Sequence, residues 1–197
     1  MKTSIKILTK SLLAAMVLTS SIFTTNVLAD EKQPTKVSVP SNFSKVSVSG
    51  NVEVTLVQGP REGISYNDDN AGKVKAIQDG YTLKISSESK EVAKVTVYVK
   101  NIYRVQASEN AVVKTTGKLD TKYLQVFLKE NAMVEINSNT ESIYTVIEGN
   151  SDLKLKGATQ NHILVMGKTQ KLNLDRFAAL KTEMNTPQSL QIASLAK

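Results

Sequence analysis

The sequence has 197 residues, no cysteine, no tryptophan and a formal net charge of +7. Without cysteine, the folded protein cannot rely on disulfide bonds or on a lipid-modified cysteine at its N-terminus. Lysines in the segment 1–29 contribute three of the positive charges, and the +4 that remains lies largely on residues that alternate with apolar ones. A solvated sheet surface explains this distribution better than a basic surface for nucleic acid or an acidic glycan, so no nucleic-acid partner is expected.

Residues 1–29 are predicted to be a signal peptide. Three lysines precede the apolar run 12–17, and the segment ends at Val27-Leu28-Ala29, a site that a signal peptidase can read. A retained membrane anchor over 12–28 is the alternative, but serines, threonines and an asparagine interrupt the roughly 20 apolar residues that a span needs. We therefore expect an exported protein, periplasmic or extracellular, with no membrane span after cleavage.

Residues 30–42 are polar, contain Pro34 and Pro40, and show no periodicity, which predicts a flexible leader. A folded domain is expected from residue 43 to residue 185. Its first part has apolar residues that alternate with polar ones on both sides of Ser49-Gly50-Asn51. Alternation with a period of two predicts two short strands that flank a polar corner.

Between Gly59 and Asn101 this frame is lost. Clusters of turn residues flank two candidate strands, at 82–86 and at 95–99. The pattern predicts an antiparallel hairpin insertion or cap, which an exposed sheet end requires on physical grounds.

A polar corner recurs four times between residues 103 and 175, at spacings of 21, 19 and 19 along the sequence. The copies are Glu109-Asn110-Ala111, Glu130-Asn131-Ala132, Gly149-Asn150-Ser151 and the degenerate Lys168-Thr169-Gln170. A unit this short cannot bury its apolar edge alone, so the copies must stack. The sequence therefore predicts an all-β, single-domain β-solenoid of the β-helix type. Its stacked core would contain the residues three places after each corner: Val113, Val134, Leu153 and Leu172.

Beyond Asp175 the pattern weakens. Residues 180–184 and 190–192 fit one more pair of strands better than they fit a short helix that begins at Phe177. Residues 186–197 are predicted to be a C-terminal capping segment or tail.

The corner asparagines form the most regular polar feature of the chain: Asn51, Asn110, Asn131 and Asn150. We interpret them as a structural ladder, in which stacked amides satisfy one another and hold the corner between strands. A row of amides presented to a sugar or a peptide is the alternative.

No catalytic, cofactor-binding or metal-binding residue is predicted. His162 is the single histidine and falls in an apolar column, and a zinc site without cysteine or a second histidine would be poor chemistry. Asn67-Asp68-Asp69-Asn70 lacks the spacing of an EF-hand loop, so we interpret it as a turn rather than a calcium site. Glu109 and Glu130 would be neighbours along the stack, which alone indicates a charged ladder. The six tyrosines are scattered in the sequence, so no aromatic platform for sugars is expected.

Three parts of the chain resemble one known family: residues 43–59 (FSKVSVSGNVEVTLVQG), residues 79–85 (DGYTLKI) and the repeated corners. The family is that of the head GIN domains, whose members are labelled putative auto-transporter adhesins. The likeness extends from about Phe43 to Met184 and implies a β-helix-like solenoid. It implies no catalytic residues.

The function expected from these observations is that of an exported, non-enzymatic interaction or adhesion module of the bacterial cell envelope. Its partner would be an envelope polymer or protein, which an extended regular sheet contacts at many weak points. One alternative is a periplasmic structural protein that assembles through the ends of the solenoid, and hence a homo-oligomer. The other is a polysaccharide-active β-helix enzyme that uses Glu109 and Glu130.

Overall fold

The computed structural model describes residues 36–37, 42–66 and 73–187, which belong to one compact unit. The predicted signal peptide, the turn at 67–70 and residues 188–197 lie outside the described residues. Within them the chain is all-β, as the sequence predicts, and its strands form one continuous sheet. No helix in these ranges has both the length and the apolar character that a membrane crossing needs.

The strands are short in the first part of the chain and long in the last part. Their bounds are β1 Lys36–Val37, β2 Lys45–Gly50, β3 Val52–Gln58, β4 Gly63–Tyr66, β5 Lys75–Asp79, β6 Thr82–Ser87, β7 Ala93–Val99, β8 Arg104–Ser108, β9 Val112–Thr116, β10 Leu119–Asp120, β11 Tyr123–Leu128, β12 Met133–Ile147, β13 Asp152–Met166 and β14 Lys171–Asn185.

Most of the sheet consists of two rows of parallel strands, and the chain passes from one row to the other at the corners. Row A contains β6, β2, β8, β11 and the later halves of β12, β13 and β14, in that order. Row B contains β7, β3, β9 and the earlier halves of the same three long strands. Each polar corner of the sequence lies between a row A strand and a row B strand.

The register superposes equivalent residues of successive strands. Val113 is paired with Val134, Val134 with Leu153, and Leu153 with Leu172. The first three are almost fully buried, whereas Leu172 is partly buried and packs against the core from the last strand. Inward residues of both rows alternate with outward ones and form one hydrophobic cluster. Burial of each large apolar side chain stabilises the fold by roughly 1.5–3 kcal/mol.

The segment from Gly59 to Asn101 matches its prediction only in part: it contains the antiparallel strands β4 and β5, but its two candidate strands are not the antiparallel ones. Its two candidate strands are β6 and β7, which are parallel to β2 and β3 and continue both rows. The pair β2 and β3, which comes first along the chain, therefore lies between the pair β6 and β7 and the pair β8 and β9. The frame is hidden in the sequence because the corner between β6 and β7 is a longer loop that lacks the Gly-Asn pattern.

The antiparallel strands form the outer edge at this end of the sheet. Strand β5 pairs with β6, β4 pairs with β7, and β1 pairs with β4, all in antiparallel orientation. Strand β1 falls within residues 30–42, the segment predicted as a leader. At the opposite end, β14 extends both rows, and residues 180–184 belong to its later half, in row A, as strand and not helix.

Candidate functional site

The corners hold left-handed residues that precede each asparagine. Gly50, Glu109, Glu130 and Gly149 have φ angles of 81°, 59°, 62° and 68°. Asn110 Nδ2 donates a hydrogen bond to Asn51 Oδ1 over 3.2 Å, and Asn51 Nδ2 donates to a backbone carbonyl over 2.9 Å. At Asn131 and Asn150 the backbone N–H groups donate to the carbonyls of Glu109 and Glu130. The amide ladder thus joins Asn51 to Asn110, and its extension to the other two side chains stays a prediction.

The two corner glutamates are joined through the backbone. Glu130 Oε2 accepts a hydrogen bond of 2.6 Å from the backbone N–H of Glu109. This carboxylate therefore supports the neighbouring corner, and its partner is an amide instead of a second carboxylate. Among the described residues, no group of three or more acidic, histidine or cysteine side chains could hold a metal ion.

His162 lies on the inward face of row A and is 1% exposed. Its Nε2 is 2.9 Å from Thr145 Oγ1, and its ring meets Phe177 edge-on at 5.4 Å between centroids. Its Nδ1 is buried without a hydrogen-bond partner. Because burial disfavours the charged imidazolium, the pKa of His162 is lower than its ordinary value.

The lowered pKa predicts a loss of stability in weak acid. Below about pH 6.5 the unfolded histidine binds a proton that the folded one does not, so the free energy of unfolding falls by up to about 1.4 kcal/mol per pH unit until the folded pKa is reached. Urea unfolding at pH 7.5 and 5.5 measures this difference. His162→Leu, which suits the apolar column, should flatten it. An unchanged difference in that variant would assign the effect to other groups.

The outward face of row B carries paired charges. Glu53 Oε1 is 3.1 Å from Lys114 Nζ, and Glu135 Oε1 is 3.6 Å from Lys154 Nζ and also bonds Lys156. The hydrogen bond from Lys156 lowers the pKa of the Glu135 carboxyl. Alternating signs across neighbouring strands are typical of a solvated sheet face that needs no partner.

The outward face of row A has a different composition, with an aromatic patch at its centre. The patch consists of Arg104 on β8, Gln125 and Phe127 on β11, Tyr144 on β12 and Ile163 on β13. Arg104 is paired with Gln125, Gln125 with Tyr144, and Tyr144 with Ile163. The sheet register therefore brings together side chains from four different strands that are far apart in the sequence.

Direct contacts fix the geometry of the aromatic patch. The rings of Phe127 and Tyr144 are tilted, with centroids 5.9 Å apart. The Arg104 guanidinium carbon lies 5.1 Å from the centroid of the Phe127 ring, and Arg104 Nε donates to Gln125 Oε1 over 2.8 Å. A cation held over an aromatic ring and ordered by an amide forms a prepared surface for a ligand that combines a flat apolar face with negative charge.

Sequence reasoning missed this patch. The interval from Phe127 to Tyr144 is not a repeat spacing, because the two residues are diagonal neighbours on adjacent strands. The sequence signal that would have found the patch is a comparison of outward residues in neighbouring copies of the repeat. Each outward residue must be compared with the residue two places before or after its direct partner. The expectation of scattered aromatics concerned the tyrosines alone and did not include the contact of Phe127 with Tyr144 on this face, where Tyr123 is also exposed, by 55%.

A shallow groove continues the same face toward the antiparallel strands. Its volume is about 240 Å³, and it is lined by Ser47, Ser49, Lys75, Ile77, Lys84, Ile85 and Ser86. In the described residues, the outward face of row A together with the adjoining strand β5 bears five cations and two carboxylates: Lys45, Lys75, Lys84, Arg104, Lys181, Asp79 and Glu183. Lys84 pairs with Asp79 at 2.7 Å and Lys181 with Glu183 at 2.6 Å, so positive charge is in excess around the patch and the groove.

A second concavity lies where the chain bends before each row A strand. It has a volume of about 550 Å³ and is lined by threonines, alanines and charged residues of β10, β12, β13 and β14. Thr140 Oγ1 donates to Thr159 Oγ1, which donates to the carbonyl of Asn161. These hydroxyls are satisfied internally, so this groove is a weaker candidate than the row A face.

Comparison with known proteins assigns a family and a fold. The family model described as "Putative auto-transporter adhesin, head GIN domain" matches residues 42–187. No curated protein matches the chain.

Several solved structures share the fold. A putative adhesin from Bacteroides fragilis superposes with a TM-score of 0.68 at 15% identity, over 78% of this chain and 75% of that one. A putative adhesin from Parabacteroides merdae gives a TM-score of 0.56 at 14% identity, over 78% and 77%. A putative lipid binding protein from Parabacteroides distasonis gives 0.52 at 10% identity, over 79% of each chain. At these identities the likeness shows the fold alone.

Proposed function

The chain belongs to the family described as putative auto-transporter adhesin, head GIN domain, and from this premise we propose that it is an exported, non-enzymatic adhesion module of the bacterial cell envelope. We propose further that the domain is a β-solenoid whose outward row A face binds an anionic polymer of the envelope. The observation that carries the proposal is the difference between the two outward faces. On row B the carboxylates of Glu53 and Glu135 pair with lysines of neighbouring strands, whereas row A presents two aromatic rings in contact beside the Arg104 guanidinium.

The parallel register supports the solenoid. Equivalent residues are paired across successive strands at offsets of 21, 19 and 19, and the corners carry the left-handed residues that a repeated turn needs. Such a stack gives a face that is long in the direction of the axis. From β6 to β12, row A spans four strand spacings, or about 19 Å, which suits a linear polymer that crosses the strands.

The chemistry of the face favours an acidic polysaccharide. The faces of sugar rings are apolar and pack on aromatic side chains, as Tyr144 allows beside the Phe127 ring that Arg104 covers. Arg104 and the lysines of the groove would pair with carboxylate or phosphate groups of the polymer, while Ser47, Ser49 and Ser86 offer hydroxyl hydrogen bonds. Binding of this kind is weakened by salt. Because it uses no general acid or base, the protein would hold the polymer without cleaving it.

A pair of matched double variants tests the proposal. Arg104→Gln with Tyr144→Ser should lower the affinity of the mature protein for immobilised polygalacturonate at least tenfold, because a cation and an aromatic surface are lost together. Lys114→Gln with Met133→Ser removes a cation and an exposed apolar side chain from row B, and should change the affinity less than twofold. Surface plasmon resonance at 50 and 300 mM NaCl measures both, with neutral dextran as the uncharged polymer.

Three outcomes would contradict this function. Equal losses in the two double variants would remove the row A face from consideration. Equal affinity for neutral dextran would show that the cations of row A do not contribute to binding. Cleavage of the polymer, detected as new reducing or unsaturated ends and abolished by Glu130→Gln, would show an enzyme instead of an adhesion module.

A further inference from the structure

The two ends of the sheet differ in whether other strands cover their edge. At one end, the antiparallel strands β5, β4 and β1 cover the parallel rows. At the other end, β14 pairs with β13 on one side and with no strand on its outer side, among the described residues. Strand β14 is 15 residues long. An edge of this length presents a row of backbone donors and acceptors to any extended chain, and proteins usually protect such edges.

The later half of β14 also exposes apolar side chains. Leu180 is 87% exposed and Met184 is 69% exposed, the two highest values among the large hydrophobic residues of the described chain. Between them lie Lys181, Thr182 and Glu183, which are exposed as well. An edge strand protected from association would carry charges at such positions instead of leucine and methionine.

The order of these residues is self-complementary. In an antiparallel pair of β14 strands with its two-fold axis at Thr182, Leu180 lies opposite the partner's Met184, and Lys181 lies opposite the partner's Glu183. Both apolar side chains then gain an apolar neighbour, and both charges face the opposite sign. Within one chain, Lys181 Nζ is already 2.6 Å from Glu183 Oε1, so the two side chains lie on the same face of the strand.

We propose that residues 179–185 of β14 are a homodimerisation site, at which two copies of this chain pair edge to edge and antiparallel about Thr182. The contact uses the same patch on both copies, so it closes into a dimer and does not extend into a fibre. It joins two modules at their uncovered ends and leaves both antiparallel ends outermost. Dimerisation is independent of what the row A face binds, although two linked faces would bind a polymer with greater avidity.

The absence of cysteine from the natural chain allows a direct test. Thr182→Cys places the only thiol of each copy on the proposed two-fold axis, where the facing Cα atoms are about 4.5–5.5 Å apart, within the range of a disulfide. Mild oxidation of the mature protein should convert most of it to a covalent dimer on a non-reducing gel. Ala178→Cys is the matched control, because Ala178 is also an exposed β14 residue but lies roughly 27 Å from its counterpart in this register. Equal cross-linking of both variants, or none, would overturn the proposal.

Charge exchange tests the register independently of oxidation. Lys181→Glu or Glu183→Lys alone places like charges opposite each other and should raise the dimer dissociation constant at least tenfold in sedimentation equilibrium. The two changes together should restore it. A monomer that dimerises after removal of residues 188–197 would overturn the proposal for the full chain, because the tail would then occupy the edge. Species larger than a dimer would overturn the two-fold arrangement.

Discussion

Replacement of Leu153 by alanine is expected to lower the free energy of unfolding by about 3–4 kcal/mol, close to the middle of the range for a fully buried leucine. Leu153 is 0% exposed and lies in register between Val134 and Leu172. A shortened side chain leaves a cavity in the stack, since the strands on both sides are fixed by backbone hydrogen bonds and cannot close it. The loss therefore includes both the transfer of the apolar group and the cavity.

The same substitution at Leu172 is the matched control. Leu172 is the next residue of the same column, but it lies in the last strand and is partly buried. We expect Leu172→Ala to cost less than about half as much, because one side of the cavity is open and the site collapses more easily. Urea unfolding monitored by circular dichroism gives both values. Equal losses would mean that Leu172 is covered as fully as Leu153, for example by residues 188–197 or by a second copy.

Spacing alone was sufficient to predict the stacking of the later strands. The offsets between successive corners, which are 21, 19 and 19, are the offsets at which β9, β12, β13 and β14 pair. This succeeds because hydrogen bonding between neighbouring parallel strands fixes the register, and a shift of one residue would expose every inward side chain. Between Lys154 and Lys156 of β13 the offset to β14 changes by one residue at a bulge, which the sequence does not mark.

The position of β6 and β7 could not be read from the pattern. Val46 is paired with Leu83 in row A, and Val52 is paired with Ala93 in row B. The two pairings have different separations along the sequence, so β6 and β7 do not share one repeat spacing with β2 and β3. The chain passes through the antiparallel strands β4 and β5 before it reaches them. A repeat pattern that is interrupted by other strands looks the same in the sequence as an inserted hairpin. Within each strand, the inward residues still alternate normally.

The candidate site was hidden for a related reason. Side chains become neighbours on a sheet through two displacements, one across strands and one along them. The comparison of equal repeat positions finds columns such as Val113 to Leu172, but it does not find the diagonal contact between Phe127 and Tyr144. His162 is the opposite case: the apolar column predicts its burial, whereas its unpartnered Nδ1 depends on side chains that no spacing specifies.

Replacement of Gly50 by alanine should lower the free energy of unfolding by about 2–5 kcal/mol, as the sum of two costs. The φ angle of Gly50 is 81°, which costs an L-residue about 1–2 kcal/mol. In addition, a Cβ at this position would lie 2.0 Å from the backbone oxygen of Ser87, in the strand that pairs with β2. Backbone atoms cannot yield as a flexible side chain can, so β2 and β6 must separate at this corner, which adds about 1–3 kcal/mol.

Gly80→Ala isolates the conformational part of this loss. Gly80 has a φ angle of 55°, also left-handed, but a Cβ there would meet no atom within 4 Å. This variant should therefore lose only about 1–2 kcal/mol, the cost of the left-handed conformation alone. Urea unfolding in the same buffer measures both variants. The difference between their losses of unfolding free energy is the cost of separating β2 from β6 at Gly50. If the two losses were equal, the close approach of Gly50 to Ser87 would not exist in solution, and the placement of β6 beside β2 would be wrong.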